Sequence, residues 1–135
     1  MANQSRARFL QTILDGASAN GWGTEIPIAG YRHIMLVIST ASSAAGTIKI
    51  GGSFLDKDDV DFTASAAVDN EWDFVYGYNY NSAAGVVGDT GFVYSGTDAV
   101  EQIIVNTDGL NTLNVNLSNY SAGNFTVKAF AVTNQ

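Results

Sequence analysis

Leu113-Asn114-Val115-Asn116-Leu117-Ser118, then Ser121-Ala122-Gly123-Asn124, then Phe125-Thr126-Val127-Lys128-Ala129-Phe130-Ala131-Val132, is the stretch that decides the fold class. Side chains along an extended strand point alternately to opposite faces. The first run therefore puts Leu113, Val115 and Leu117 on one face and Asn114, Asn116 and Ser118 on the other. On a helix the same residues would scatter around the axis. The Ser-Ala-Gly-Asn cluster is turn chemistry, and the last run has strand composition with Lys128 as its one charge. The expectation is a β-hairpin over 113–132, with its amide face in solvent.

Upstream, Val100–Val105 reads as a strand closed by the turn Thr107-Asp108-Gly109. Trp72, Phe74, Tyr76, Tyr78 and Tyr80 fall at every second position, which puts five rings on one face of a strand over 71–80. Each ring buries roughly 150–250 Å², so together they form an apolar surface of roughly a thousand Å². That is more than a monomer normally leaves open. Such a strand would run about 30 Å, longer than is usual, and this divides the stripe. Trp72, Phe74 and Tyr76 are assigned to the core, Gly77 permits a bend, and Tyr78 and Tyr80 reach toward an interface.

Ile34, Leu36 and Ile38 share one face of a strand over 31–40, with Met35 and Val37 on the other, so both faces are apolar. Ala41–Gly46 reads as a small-residue turn and Thr47–Ile50 as a strand ending in a bulge at Gly51-Gly52. Glu25-Ile26-Pro27-Ile28 suits a short edge strand, because Pro27 donates nothing to a ladder. Gly85, Gly88 and Gly91 interrupt a weak segment that leads to Phe92-Val93-Tyr94. Phe9, Leu10, Ile13 and Leu14 fit either a first strand or one helical turn. Strands recur with no convincing helix between them, so the class is all-β. The chain is expected to form a single antiparallel β-sandwich or jelly-roll-like domain over 9–135, after a short N-terminal arm over 1–8.

The 135 residues suffice for one domain, and 46% hydrophobic with 14% charged residues suits strands whose outer faces are hydroxyls and amides. Net charge is −7 and the six Lys and Arg are scattered from Arg6 to Lys128. A nucleic-acid partner, which needs a basic stripe, is therefore not expected. No apolar stretch is long enough for a transmembrane helix, and Met1–Arg6 lacks the apolar region of a signal peptide, so no membrane association is expected. The absence of cysteine excludes disulfides, thiolate nucleophiles and cysteine-bound zinc.

Chemistry finds little to build on. His33, the single histidine, heads an apolar strand without a nucleophile-elbow pattern, and it reads as a structural histidine rather than a triad member. Asp56-Lys57-Asp58-Asp59-Val60-Asp61 has oxygen ligands for Ca²⁺, but Asp61 and Ala67 stand where an EF-hand loop needs Gly and Glu. It reads as a solvated turn. The spacing of the thirteen acids singles out no glycosidase-like pair. No catalytic residue, metal or cofactor is expected. Tyr78 and Tyr80, flanked by Asn79 and Asn81, would also suit stacking on sugar rings.

Three stretches carry a resemblance: Trp22-Gly23-Thr24-Glu25-Ile26-Pro27-Ile28-Ala29-Gly30-Tyr31; Trp72–Tyr80 with the glycine-rich segment after it; and Ile103-Ile104-Val105-Asn106 through Phe125-Thr126-Val127. In these the chain resembles the small β-sandwich structural proteins of tailed-phage virions. The resemblance implies a virion protein that is not an enzyme, most simply a capsid decoration (cement) protein assembled in the host cytoplasm. Its implied partners are the major capsid protein or other virion proteins. It further implies a homo-oligomer, with a trimer as the first expectation. Arg6 and Arg8 on the arm, and Tyr78 and Tyr80, are the interface candidates. A receptor- or carbohydrate-binding module of a tail or fibre is the alternative.

Overall fold

The computed structural model describes residues 5–64, 71–86, 88–96 and 98–134, which form ten strands and no helix. In chain order these are β1 (Ser5–Ala17), β2 (Gly21–Trp22), β3 (Ile26–Pro27), β4 (His33–Ser53), β5 (Asp73–Phe74), β6 (Gly77–Asn79), β7 (Ala84–Val86), β8 (Phe92–Ser95), β9 (Val100–Asn106) and β10 (Thr112–Asn134). Every pairing is antiparallel. One hydrogen-bonded sheet runs β1-β10-β4-β9-β6-β7, with β2 and β3 also on β10, and β5 and β8 also on β4. The class is all-β, as the alternation of the sequence predicts.

β4 and β10 pair along their whole lengths, from Thr112 opposite Ser53 to Ala131 opposite Ile34. Midway the register shifts between Ser118 and Ala122 and again between Ala122 and Asn124. Left-handed backbone marks the same place on both strands, with φ of 61° and 56° at Ser42 and Ser43 and of 52° and 77° at Asn119 and Gly123. Paired irregularities of this kind bend a ribbon as a unit. The corner divides the sheet. A first half is built on 33–41 and 124–134 with β1, β9, β6 and β7; a second is built on 44–53 and 112–118 with β2, β3, β5 and β8.

The inner faces of the halves share one core. The Phe125 ring, from the first half, lies 5.7 Å from that of Tyr94 on β8. Gly77 on β6 is backed by Phe92 and Ile50 of the other half, so close that a Cβ there would meet Phe92 at 3.0 Å. Ile34, Leu36, Ile38, Ile48, Ile103 and Val115 are fully buried in this core. Each contributes about 1.5–3 kcal/mol over the exposed state.

The expected hairpin over 113–132 is not formed. Leu113–Ser118 and Phe125–Ala131 do not pair with each other; both pair with β4, and the turn chemistry at 121–124 makes the corner. Ala41–Gly46, read as a turn, is the matching corner on β4, whose strand continues through it. No bulge occurs at Gly51-Gly52, where pairing is regular on both sides. Those glycines make room instead: a Cβ on Gly51 would come within 2.9 Å of Trp22, and one on Gly52 within 2.9 Å of Leu110 and Val75. Of the 1–8 arm, residues 1–4 lie outside the described residues. Residues 5–8 belong to β1, in register with Asn134 to Ala131.

Candidate interaction face

The outer sides of the two halves are treated differently by the chain. Outside the second half, Trp22 packs with its ring centroid 5.2 Å from Phe62, 4.9 Å from Trp72 and 6.2 Å from Phe74. Val60 and Leu55 complete this second cluster. Trp72 Nε1 donates to the Ala64 carbonyl at 2.9 Å, fixing the indole, and Lys49 Nζ stands 5.2 Å from the centre of the Phe74 ring. These rings lie over Gly51, which faces outward opposite Asn114. Asn114, expected in solvent, is consequently buried.

Outside the first half the described residues lay down no such layer. There Phe9 stands opposite Phe130, Phe130 opposite Met35, Met35 opposite Ile104 and Ile104 opposite Tyr78. Five strands thus contribute one apolar row, each residue directly across from the next. Phe9 is 52% exposed, the other four are half-buried, and none belongs to either core cluster. The Phe9 and Phe130 rings meet edge-on at 5.5 Å. The next row holds Thr12, Lys128, Val37 and Gln102, in register, and Tyr80 joins it by donating its backbone N–H to the Gln102 carbonyl at 3.0 Å. Directly opposed side chains are the units through which a sheet surface acts.

β6 has only three residues, and a part-buried polar network holds it in place. Tyr94 Oη donates to Glu101 Oε1 at 2.7 Å, and Asn79 Nδ2 donates to Glu101 Oε2 at 2.9 Å. Asn79 Oδ1 accepts the N–H of Asn81 at 2.9 Å, and Asn81 Oδ1 accepts that of Gln102 at 2.8 Å. Strands β6, β8 and β9 are thereby tied together. Burial, with help from the Glu101 carboxylate, pushes the Tyr94 hydroxyl well above the usual tyrosine range. Asn79 and Gly77 face inward, so Tyr78 and Tyr80 face outward with their rings 5.3 Å apart.

The aromatic stripe of 72–80 is therefore split between partners rather than laid along one strand. Asp73–Phe74 pairs with β4 and Gly77–Asn79 with β9. Trp72 is buried, as expected, and Phe74 is half-buried in the second cluster. Tyr76, assigned to the core, is instead 56% exposed, with its hydroxyl over Gly85 of β7. Tyr78 and Tyr80 stand on the outer face. Arg8 is exposed on β1 and donates through Nη2 to the Tyr31 hydroxyl, while the Arg6 side chain lies outside the described residues.

His33 is exposed at the start of β4, opposite Asn106. In the acidic loop Asp61 Oδ1 accepts from Thr63 N at 2.9 Å and Thr63 Oγ1 at 2.5 Å, which lowers its pKa, and Glu25 Oε1 accepts from Asp58 N at 3.1 Å. Among the described residues no three His, Asp or Glu gather to hold a metal. Phe9, Phe130 and Ile104 were not singled out by sequence reasoning. Their signal was weak but present: Ile103-Ile104-Val105 and Phe130-Ala131-Val132 are apolar on both faces, where one buried face needs only alternation.

No protein-family model and no curated protein matches the chain. Among solved structures it is similar to the crystal structure of SPBc2 prophage-derived protein YomS, with a TM-score of 0.65 and 19% identity, covering 98% of this chain and 96% of that one. The fold is thus shared over essentially the full length of both.

Proposed function

We propose that this chain is a phage virion structural protein that works by surface contact and performs no catalysis. The observation that carries the reading is the full-length fold similarity to a prophage-derived protein. Within that class we assign the chain to decoration of the phage head, with the major capsid protein as partner. Apolar burial and pairing of free strand edges would supply the binding. Quantitative mass spectrometry of particles purified from a host carrying the gene should find many copies per particle, and imaging should place them on the head. Absence from washed particles would overturn the virion reading; a tail location would overturn decoration alone.

The exposure of Tyr76 and Tyr80, at 56% and 57%, favours one second reading, a carbohydrate-binding module of a tail or fibre. Specific glycan-array binding that is lost on Tyr80→Ala would establish it in place of decoration.

A further inference from the structure

We propose that the outer face of the first half, centred on the Phe9–Phe130–Met35–Ile104–Tyr78 row, is the surface through which two copies of this chain pack, sheet against sheet. The proposal goes beyond the virion reading and does not depend on it. Its first support is the contrast between the two halves. The chain covers much of the outside of one half with its own Trp22 cluster, leaving Val93 on β8 exposed, and leaves the outside of the other as an apolar row. β4, β9 and β10 pair there without a register shift and β1 joins them with three, and among the described residues no second layer covers this face.

Area and charge select the occupant. Four rows of outward residues about 6.7 Å apart on β10, β4 and β9, with two each on β1 and β6 and strands about 4.8 Å apart, make a face of about 500 Å² in projection. Each partner in a standard interface buries about 800 Å², so the face supplies roughly two-thirds of the required size by itself. Thirteen acids give the chain a net charge of −7. Yet none of the outward residues of β4 from His33 to Ser39, of β9 from Val100 to Asn106, or of β10 from Thr126 to Val132 is Asp or Glu. Two such chains approach most easily where neither presents carboxylates, and the three central strands meet that condition on both; the exposed Asp15 lies on the edge strand β1, between Leu14 and Ala17.

The layout also fits a two-fold contact. A two-fold places the same patch against itself, so the patch must be self-complementary. An apolar row flanked by hydroxyls and amides (Thr12, Gln102, Ser39, Thr126, Asn106) has the apolar centre and polar rim of an interface. Lys128 stands exposed in the second row, between Thr12 and Val37. Stacked sheets sit about 10 Å apart. The proposed pair is an alternative to the trimer that the resemblance implied.

Sedimentation velocity of the full chain at tens of micromolar should give the dimer mass. Ile104→Glu should weaken dimerisation at least tenfold while keeping a cooperative unfolding transition. Val93→Glu, on the exposed outside of the other half, should leave it unchanged. Because the chain has no cysteine, single cysteines provide an arm that does not depend on the Glu variant folding. A short bis-maleimide should join copies carrying Val37→Cys and not those carrying Val93→Cys. A wild-type monomer, an oligomer unmoved by Ile104→Glu, or cross-linking through Val93→Cys alone would each overturn the proposal.

Discussion

Glu101 shows how much a single residue can organise in this chain. Its two oxygens each accept one bond, from Tyr94 and from Asn79, and both donors are buried. Removing a shared acceptor leaves two donors unsatisfied, at about 1–3 kcal/mol each. Glu101→Ala should therefore destabilise the protein by about 2–4 kcal/mol in urea unfolding, and Tyr94→Phe by only about 1 kcal/mol, since one bond goes and the carboxylate keeps the other. A loss below about 1 kcal/mol for Glu101→Ala would mean that water replaces the carboxylate. The network also sets an alkaline limit. Burial and Glu101 raise the Tyr94 pKa above the ordinary value of about 10, so above that pH the folded chain keeps a proton that the unfolded chain releases. The stabilisation is complete below about pH 10 and is lost as pH rises beyond it. Tyr94→Phe should flatten this part of the stability profile.

At the scale of elements, what was legible and what was not follow from one physical fact. Alternation reports which residues share a face, not which strand lies alongside. Val100–Val105, the Thr107-Asp108-Gly109 turn and the edge strand at Ile26-Pro27 were readable because their signals are local. The corner was not, because Ser121-Ala122-Gly123-Asn124 has the chemistry of a reversal, and only the distant partner β4 decides that the chain goes on. The candidate face was half legible. Tyr78 and Tyr80 could be named, while Phe9, Phe130 and Met35 acquire meaning only through register across strands far apart in sequence. The corner itself makes a prediction. Gly123 has φ of 77°, and a Cβ there would lie 2.4 Å from Ala44 Cα. Gly123→Ala should cost more than about 2 kcal/mol, since the left-handed backbone alone accounts for about 1–2. Ser42, at φ 61°, bears the same backbone penalty already. Ser42→Gly should be neutral or stabilising by up to about 1 kcal/mol. Thermal melts of the two variants, shifted in opposite directions, would locate the strain at the corner; a harmless Gly123→Ala would remove it.

For the whole molecule, the charge of −7 and the acid-free centre of the face act in opposite directions on association, and salt separates them. Two like-charged chains repel at long range. That repulsion extends over about 30 Å at 0.01 M salt and about 8 Å at 0.15 M. The proposed contact is apolar with a hydroxyl and amide rim, so screening removes the repulsion and leaves the attraction untouched. Taking each chain as a point charge with centres some 30 Å apart in water, the repulsive term falls by about 2 kcal/mol over that range. Dimerisation should accordingly tighten by roughly tenfold or more from 0.01 to 0.15 M salt and change little beyond. An interface held by Lys128 against carboxylates of its partner would do the reverse, loosening as salt rises. Sedimentation equilibrium across the salt series reads the sign directly. Weakening with salt would show that copies meet through charged surface, and would take the Phe9–Tyr78 row out of the contact.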